Sequence, residues 1–200
     1  MDDHARADDA GLRRVVGTVA LLNLAYFGVE FGVALRIGSV SLFADSVDFL
    51  EDASVNLLIL VALGWTMRNR ARLGMALAGI LLVPGLATLW TAWDKIGAPV
   101  APDPMTLSLT GLGALAINLA CALMLARFRH HGGSLTRAAF LSARNDALAN
   151  LAIIAAAIVS AFVWRSAWPD LIVGLAIAAI NADAAREVWN AARREHRAAA

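Results

Sequence analysis

Apolar runs long enough to cross a bilayer recur along almost the whole of this 200-residue chain, and that recurrence limits its fold more than any motif does. A spanning helix uses about 20 mostly apolar residues, because inside hydrocarbon the backbone must satisfy its own hydrogen bonds. The first run is Val15 to Leu35, broken in polarity by Asn23 and Glu30. A Gly38-Ser39 turn leads into the second, Val40 to Trp65, which carries Asp45, Asp48, Glu51 and Asp52 and is held in the membrane by its apolar second half. Leu73 to Trp93 is the third, with Pro84 as a site for a kink. Pro99, Pro102 and Pro104 mark a longer loop before the fourth, Met105 to Ala126. Ala138 to Trp164 and Leu171 to Trp189 are the fifth and sixth. With 60% of the residues apolar and 16% charged, against about 25% charged in a soluble domain, six spans consume nearly all the apolar material. The expected fold is therefore all-α, a polytopic membrane protein with six transmembrane helices. Residues 1–14 are expected to form a short cytoplasmic segment, 15–190 the six-helix domain and 191–200 a cytoplasmic tail.

Charge orients the bundle. If the spans alternate, thirteen arginines share one side: Arg6, Arg13 and Arg14 before the first span, Arg68, Arg70 and Arg72 after the second, Arg127, Arg129 and Arg137 around the loop after the fourth, and Arg186, Arg193, Arg194 and Arg197 after the sixth. The other side holds Arg36, Lys95 and Arg165. Lys and Arg accumulate in cytoplasmic loops, so both termini are expected inside. Tryptophans 65, 90, 93, 164, 168 and 189 stand near span ends, where interfacial anchors belong.

Composition also excludes several functions. A net charge of +1 with scattered arginines gives no basic surface for nucleic acid. Cys121 is alone, so neither a disulfide framework nor a cysteine-based zinc site can form within one chain. Met1 to Ala10 is acidic and no small-residue cleavage site follows the first apolar run, so no removable signal peptide is expected. No set of groups resembling an enzyme's catalytic machinery is found beside the spans.

The informative residues are the intramembrane carboxylates, since an Asp at a helix centre costs roughly 2.5–3.5 kcal/mol on insertion scales. At 100° per residue, Asp45, Asp48, Asp52 and Asn56 fall within about 80° of arc, with Asp48 and Asp52 one turn apart on one face. Two carboxylates so spaced can close on one cation. The same geometry aligns Ser142, Asp146 and Asn150 on the fifth helix, and Asn23 with Glu30 on the first. Three polar stripes facing one another describe a hydrophilic path whose oxygen-rich lining suits a divalent metal.

Blander readings stand beside this one. Arg144 is available as a counter-ion, although one arginine cannot neutralise Asp48, Glu51, Asp52 and Asp146 together. Glu51, about 60° from the Asp48 line, is either its partner or a cytoplasm-side group. Asp45 reads equally as a path residue or as a solvated vestibule charge near the outer end. Asn23, Asn118 and Asn181 serve as well for interhelical hydrogen bonds as for ligation. Gly28-x-x-x-Gly32 reads as packing, and His130-His131 as solvated loop histidines or as a feed of metal toward the site.

The run Asn23 to Glu30, followed by Gly38-Ser39-Val40-Ser41-Leu42-Phe43-Ala44-Asp45-Ser46-Val47-Asp48-Phe49-Leu50-Glu51-Asp52, resembles the cation diffusion facilitator family, whose second helix follows a Gly-Ser turn with a Leu-x-Ala-Asp-x-x-(His/Asp)-x-x-x-Asp pattern. The likeness extends to Asn118, to Asp146-Ala147-Leu148-Ala149-Asn150, and to Pro169-Asp170 with Val173-Gly174. It implies export of a divalent transition metal from the cytoplasm in exchange for protons by a homodimer in the inner membrane. It also implies a metal site on Asp48, Asp52, Ser142 and Asp146. Two departures follow. Ser142 stands where the family commonly has His or Asp, so three carboxylates with water, or with Asn145, would complete the site. The chain reaches only Ala200, so a short form without the family's C-terminal cytoplasmic domain is expected. The resemblance implies no resident cofactor, the divalent cation being substrate, with Zn, Co, Mn, Fe and Cd all compatible. The rival reading is a non-transporting membrane partner, or a metal-sensing subunit with a degraded site.

Overall fold

The computed structural model describes residues 2–62, 86, 88–97, 99–127, 133–180, 182 and 186, with side chains from residue 11 onward, excepting 59, 61, 62 and 133–142. The described residues are helical or in short connections, with no strand among them. The helices are α1 (Asp2–Ile37), α2 (Val40–Ala62), α3 (88–97), α4 (Pro104–Ala126), α5 (Gly133–Phe162) and α6 (Trp168–Ile180). Pro84, His130, His131, Asn181, Trp65, Trp189 and the side chain of Ser142 lie outside the described residues.

Among the described residues three segments are long and apolar enough to cross a membrane: Gly11–Ile37, Pro104–Ala126 and Ala143–Phe162. The four carboxylates of α2 keep it out of that set, and α6 is shorter. Several boundaries differ from the apolar runs: α5 begins at Gly133, ahead of Ala138, and α6 at Trp168, ahead of Leu171. Helix α1 begins at Asp2, through the polar segment, because a helix end is set by propensity and backbone bonding and not by the hydrocarbon edge. Helix α3 continues past Trp93 through residue 97, so Lys95, expected in a solvated loop, is helical and only 7% exposed.

The local chemistry of the turns is plain. Helix α1 ends in a Schellman motif: Gly38 takes φ +63, and the Ser39 N–H donates to Ala34 O at 3.2 Å. Pro104 opens α4 behind Asp103, whose carboxylate accepts from the Thr106 N–H at 2.8 Å and from Thr106 Oγ1 at 2.6 Å. Those two bonds hold the Asp103 carboxyl below its ordinary pKa.

Helices α1 with α2 and α4 with α5 are tight antiparallel pairs, and α1 meets α4 while α2 meets α5. Lipid is as apolar as leucine, so contact between such helices depends on close packing of small residues. A Cβ on Gly111 of α4 would lie 3.2 Å from Ile154 of α5. One on Gly174 of α6 would lie 2.6 Å from the Val40 backbone carbon, so glycine alone lets α6 back onto the first turn of α2. Of the three apolar clusters among the described residues, one joins Val40, Ala92, Ala167 and Leu171. The other two lie along the α1, α2, α4 and α5 helices. One, near the α1–α2 turn, joins Ala34, Leu42, Phe43, Leu107, Ile153 and Ile177; the other, toward the opposite end, joins Val16, Val19, Cys121, Leu125 and Ala143. Large apolar side chains such as Leu21, Trp90, Trp93, Leu109 and Leu123 cover the exterior, as a lipid-facing surface requires.

Candidate metal site

The carboxylates occupy the layer between the two apolar clusters that lie along α1, α2, α4 and α5. Register fixes their levels. Antiparallel α1 and α2 bring Tyr26 against Phe49, with ring centroids 5.1 Å apart, and Phe31 against Phe43 at 5.3 Å. Between these contacts Glu30 of α1 faces Asp45 of α2, and by the same register Asn23 stands at the level of Asp52. Helices α2 and α5 are also antiparallel, because the start of α2 and the residues after α5 both meet the first turn of α6. Across that interface the Asp146 carboxyl is aligned with that of Asp52, and Asp48 lies in the field of Asp146.

The structure thus brings together Asp48, Asp52 and Asp146 from two helices, while Ser142 belongs to α5 one turn before Asp146 with its side chain undescribed. Asp52 is buried, and Asp48, Glu51 and Asp146 are half-buried. Asp45 is fully buried, so in this bundle it is no solvated vestibule charge. Arg144 is exposed and donates to Asn145 Oδ1 at 3.3 Å, which puts both residues on the outer face of α5 and leaves the carboxylates without that cation. Glu51 lies in the field of Asp52.

A second feature is a surplus of acceptors. Both oxygens of Glu30 and both of Asp45, the whole Asn23 carboxamide, and the Oδ1 atoms of Asn56 and Asn150 are buried without a hydrogen-bond partner. Buried polar groups are normally paired, since an unsatisfied one costs about 1–3 kcal/mol. Unsatisfied oxygens along α2 from Asp45 to Asn56, and on the helices facing it, are donors of the kind a hard cation takes. Among the described residues no three such side chains converge tightly enough to hold an ion as they stand.

A separate polar cluster lies at the α1–α2 turn. The Asp170 carboxylate, at the start of α6, accepts from Ser39 Oγ and Ser41 Oγ, both at 2.6 Å, from the Val40 N–H at 2.9 Å and from the Ser41 N–H at 3.3 Å. Lys95 of α3 completes it with an ion pair at 3.0 Å and a bond to Gly38 O. Asp170 in effect caps α2 from another helix, with Ser39 Oγ accepting from the Leu42 N–H. Sequence reasoning missed this cluster's pairing, because its partners are 57 to 131 residues apart. The signal available was a lone lysine among tryptophans beside a Pro-Asp pair.

No curated relative matches the chain. The sequence does match the model of the cation efflux transmembrane domain over residues 18–194, from within α1 to beyond α6. An all-helical membrane bundle with an acidic layer at its centre accords with that match, and the chain belongs to the cation efflux, or cation diffusion facilitator, family of transporters.

Proposed function

We propose that this chain is a six-span inner-membrane transporter with cytoplasmic termini, exporting a divalent transition-metal cation in exchange for protons, as a homodimer. The observation that carries the reading is the pairing of Asp48 and Asp52 on α2 with Asp146 on α5, in the layer between two apolar clusters. The carboxylates bind the metal when deprotonated, so protons and metal compete for the same oxygens. The site opens to one side at a time as α1 and α2 move against α4 and α5. No resident cofactor takes part; the metal is substrate. Ser142 supplies a hydroxyl or a place for water as the fourth ligand.

Flux into proteoliposomes holding only this chain tests the reading. A panel of divalent cations under an imposed pH gradient should give uptake that collapses with the gradient and is abolished in Asp52→Ala and Asp146→Ala. Absence of flux for every cation would favour a non-transporting partner, and wild-type uptake by either variant would remove those aspartates from the site. The fourth position has its own test. Zinc takes imidazole nitrogen well, whereas manganese loses less when histidine is absent. Ser142→His should raise the zinc-to-manganese affinity ratio and add a pH dependence near the ordinary histidine pKa of about 6.5. An unchanged ratio would mean that position 142 does not face the ion.

A further inference from the structure

Asp52 and Asp146 are each followed, four residues on, by an asparagine whose amide is disposed in the same way. Asn56 Nδ2 donates to Asp52 O at 2.8 Å, and Asn150 Nδ2 donates to Asp146 O at 2.8 Å. Each bond ties the carboxamide to the turn that bears the carboxylate and fixes which end of the amide is free. The free end is Oδ1 in both, buried and without a donor. Asn56 is 1% exposed and Asn150 fully buried, so neither oxygen lies at the surface of the bundle. An asparagine placed only to join helices would use its oxygen. Two that spend the N–H on their own helix and leave the oxygen bare in a layer of carboxylates are acceptors awaiting a positive charge.

Their positions differ in one respect. Because α2 and α5 run antiparallel, Asn56 lies beyond Asp52 toward the end away from Asp170, while Asn150 lies beyond Asp146 toward the Asp170 end. Counted from the level of Asp52 and Asp146, Asn56 lies one turn to one side and Asn150 one turn to the other, level with Asp48. We propose, resting on the carboxylate site above, that Asn56 Oδ1 and Asn150 Oδ1 are ligands of the transported divalent cation, one on either side of the level shared by Asp52 and Asp146. A neutral oxygen there replaces water of hydration as the ion enters or leaves, without adding charge to a cluster already rich in it. It also offsets the weak donor at Ser142, and it biases the site toward cations that accept many oxygen ligands.

The full chain in nanodiscs, titrated with Mn²⁺ alone against a fluorescent metal indicator, provides the test. Asn56→Leu and Asn150→Leu should each weaken Mn²⁺ binding by at least about tenfold, and Asn56→Asp and Asn150→Asp, which keep an oxygen, should recover it. Thermal unfolding supplies a readout that a merely structural role would move the other way. Metal-free Leu variants should be no less stable than wild type, because an orphaned acceptor has gone, while the metal-induced rise in Tm shrinks. A fall in metal-free Tm with the metal-induced rise intact would overturn the proposal and make the asparagines structural. Asp52→Ala separates the two levels of inference. Loss of binding there with none in the Leu variants overturns the asparagine ligands alone, and loss in neither overturns the carboxylate site itself.

Discussion

Two buried polar regions share this bundle, and they are built on opposite terms. At the α1–α2 turn, Asp170 accepts from two hydroxyls, two backbone N–H groups and a lysine, and every charge has a partner. In the central layer Glu30, Asp45, Asn23, Asn56 and Asn150 hold oxygens with no partner at all. Both regions are out of water, so the difference is not one of solvation. A polar group that closes on itself fastens elements; one that stays open costs stability and is kept for what binds there. The first region ties α1, α2, α3 and α6 at one point, and the second lies where α1, α2 and α5 face one another.

The largest test removes the fastening. Asp170→Ala strands Lys95 in the interior and orphans the first N–H groups of α2, so it should destabilise the protein by about 3–5 kcal/mol. Thermal unfolding in detergent would measure it. A Tm near that of wild type would mean that the cluster is ornament and that the contrast between the two regions is not one of stability.

The central layer should respond with the opposite sign. Glu30→Gln combined with Asp45→Asn replaces two facing carboxyls by amides able to bond each other, and removes up to four orphaned oxygens. Stability is expected to rise by about 1–3 kcal/mol. A loss of similar size in the same unfolding assay would show that these carboxyls hold the fold together.

How much of this was legible in the sequence divides along the same line. The Gly38-Ser39 turn, the start of α2 at Val40 and the stacking of Asp48 on Asp52 follow from local chemistry and helical periodicity, and the helices keep to it. The fourth and fifth apolar runs, at Met105 and Ala138, correspond to helices that begin at Pro104 and Gly133. What could not be read depends on contacts between distant segments. Lys95 looked like a loop charge because nothing near it in the chain reveals a buried carboxylate 75 residues away. Asp45 reads equally as a path residue or a vestibule charge in the sequence, because position along a helix does not tell what packs against it. The amide orientation at Asn56 and Asn150 was equally out of reach, since spacing gives the face and not which atom is left bare.

A smaller effect bears on how closely the fastened end is fitted. Gly174→Ala adds a Cβ 2.6 Å from Val40 C and 2.7 Å from Ser41 N, backbone atoms that cannot rotate away. The cost should be about 1–3 kcal/mol, the range for overpacking a close contact. Because Asp170 is one turn earlier on α6, the shift should also loosen the Lys95–Asp170 pair, so Gly174→Ala and Asp170→Ala should combine to less than their sum. Strict additivity in a double-mutant cycle would separate the helix contact from the ion pair.

The smallest expected effect lies at the solvent-exposed edge of the same end, where a polar group is closed yet not buried. Asp103 accepts two bonds from Thr106 and caps α4, and those bonds keep its carboxyl below the ordinary aspartate range. A depressed folded-state pKa contributes stability that is fully present above the unfolded value of about 3.9 and is lost as pH falls through the folded value. The Tm of wild type should therefore exceed that of Asp103→Ala at neutral pH, by less than any change above, and the gap should narrow below about pH 4. Asp103→Asn keeps a capping oxygen without a titrating group, so its Tm should stay near wild type at neutral pH and hold its own margin over the alanine variant in acid. If the gap between wild type and Asp103→Ala stayed constant from neutral pH down through that range, the ionised carboxylate would not be what caps α4, and charge at this exposed edge would count for nothing beside the buried pair at Asp170.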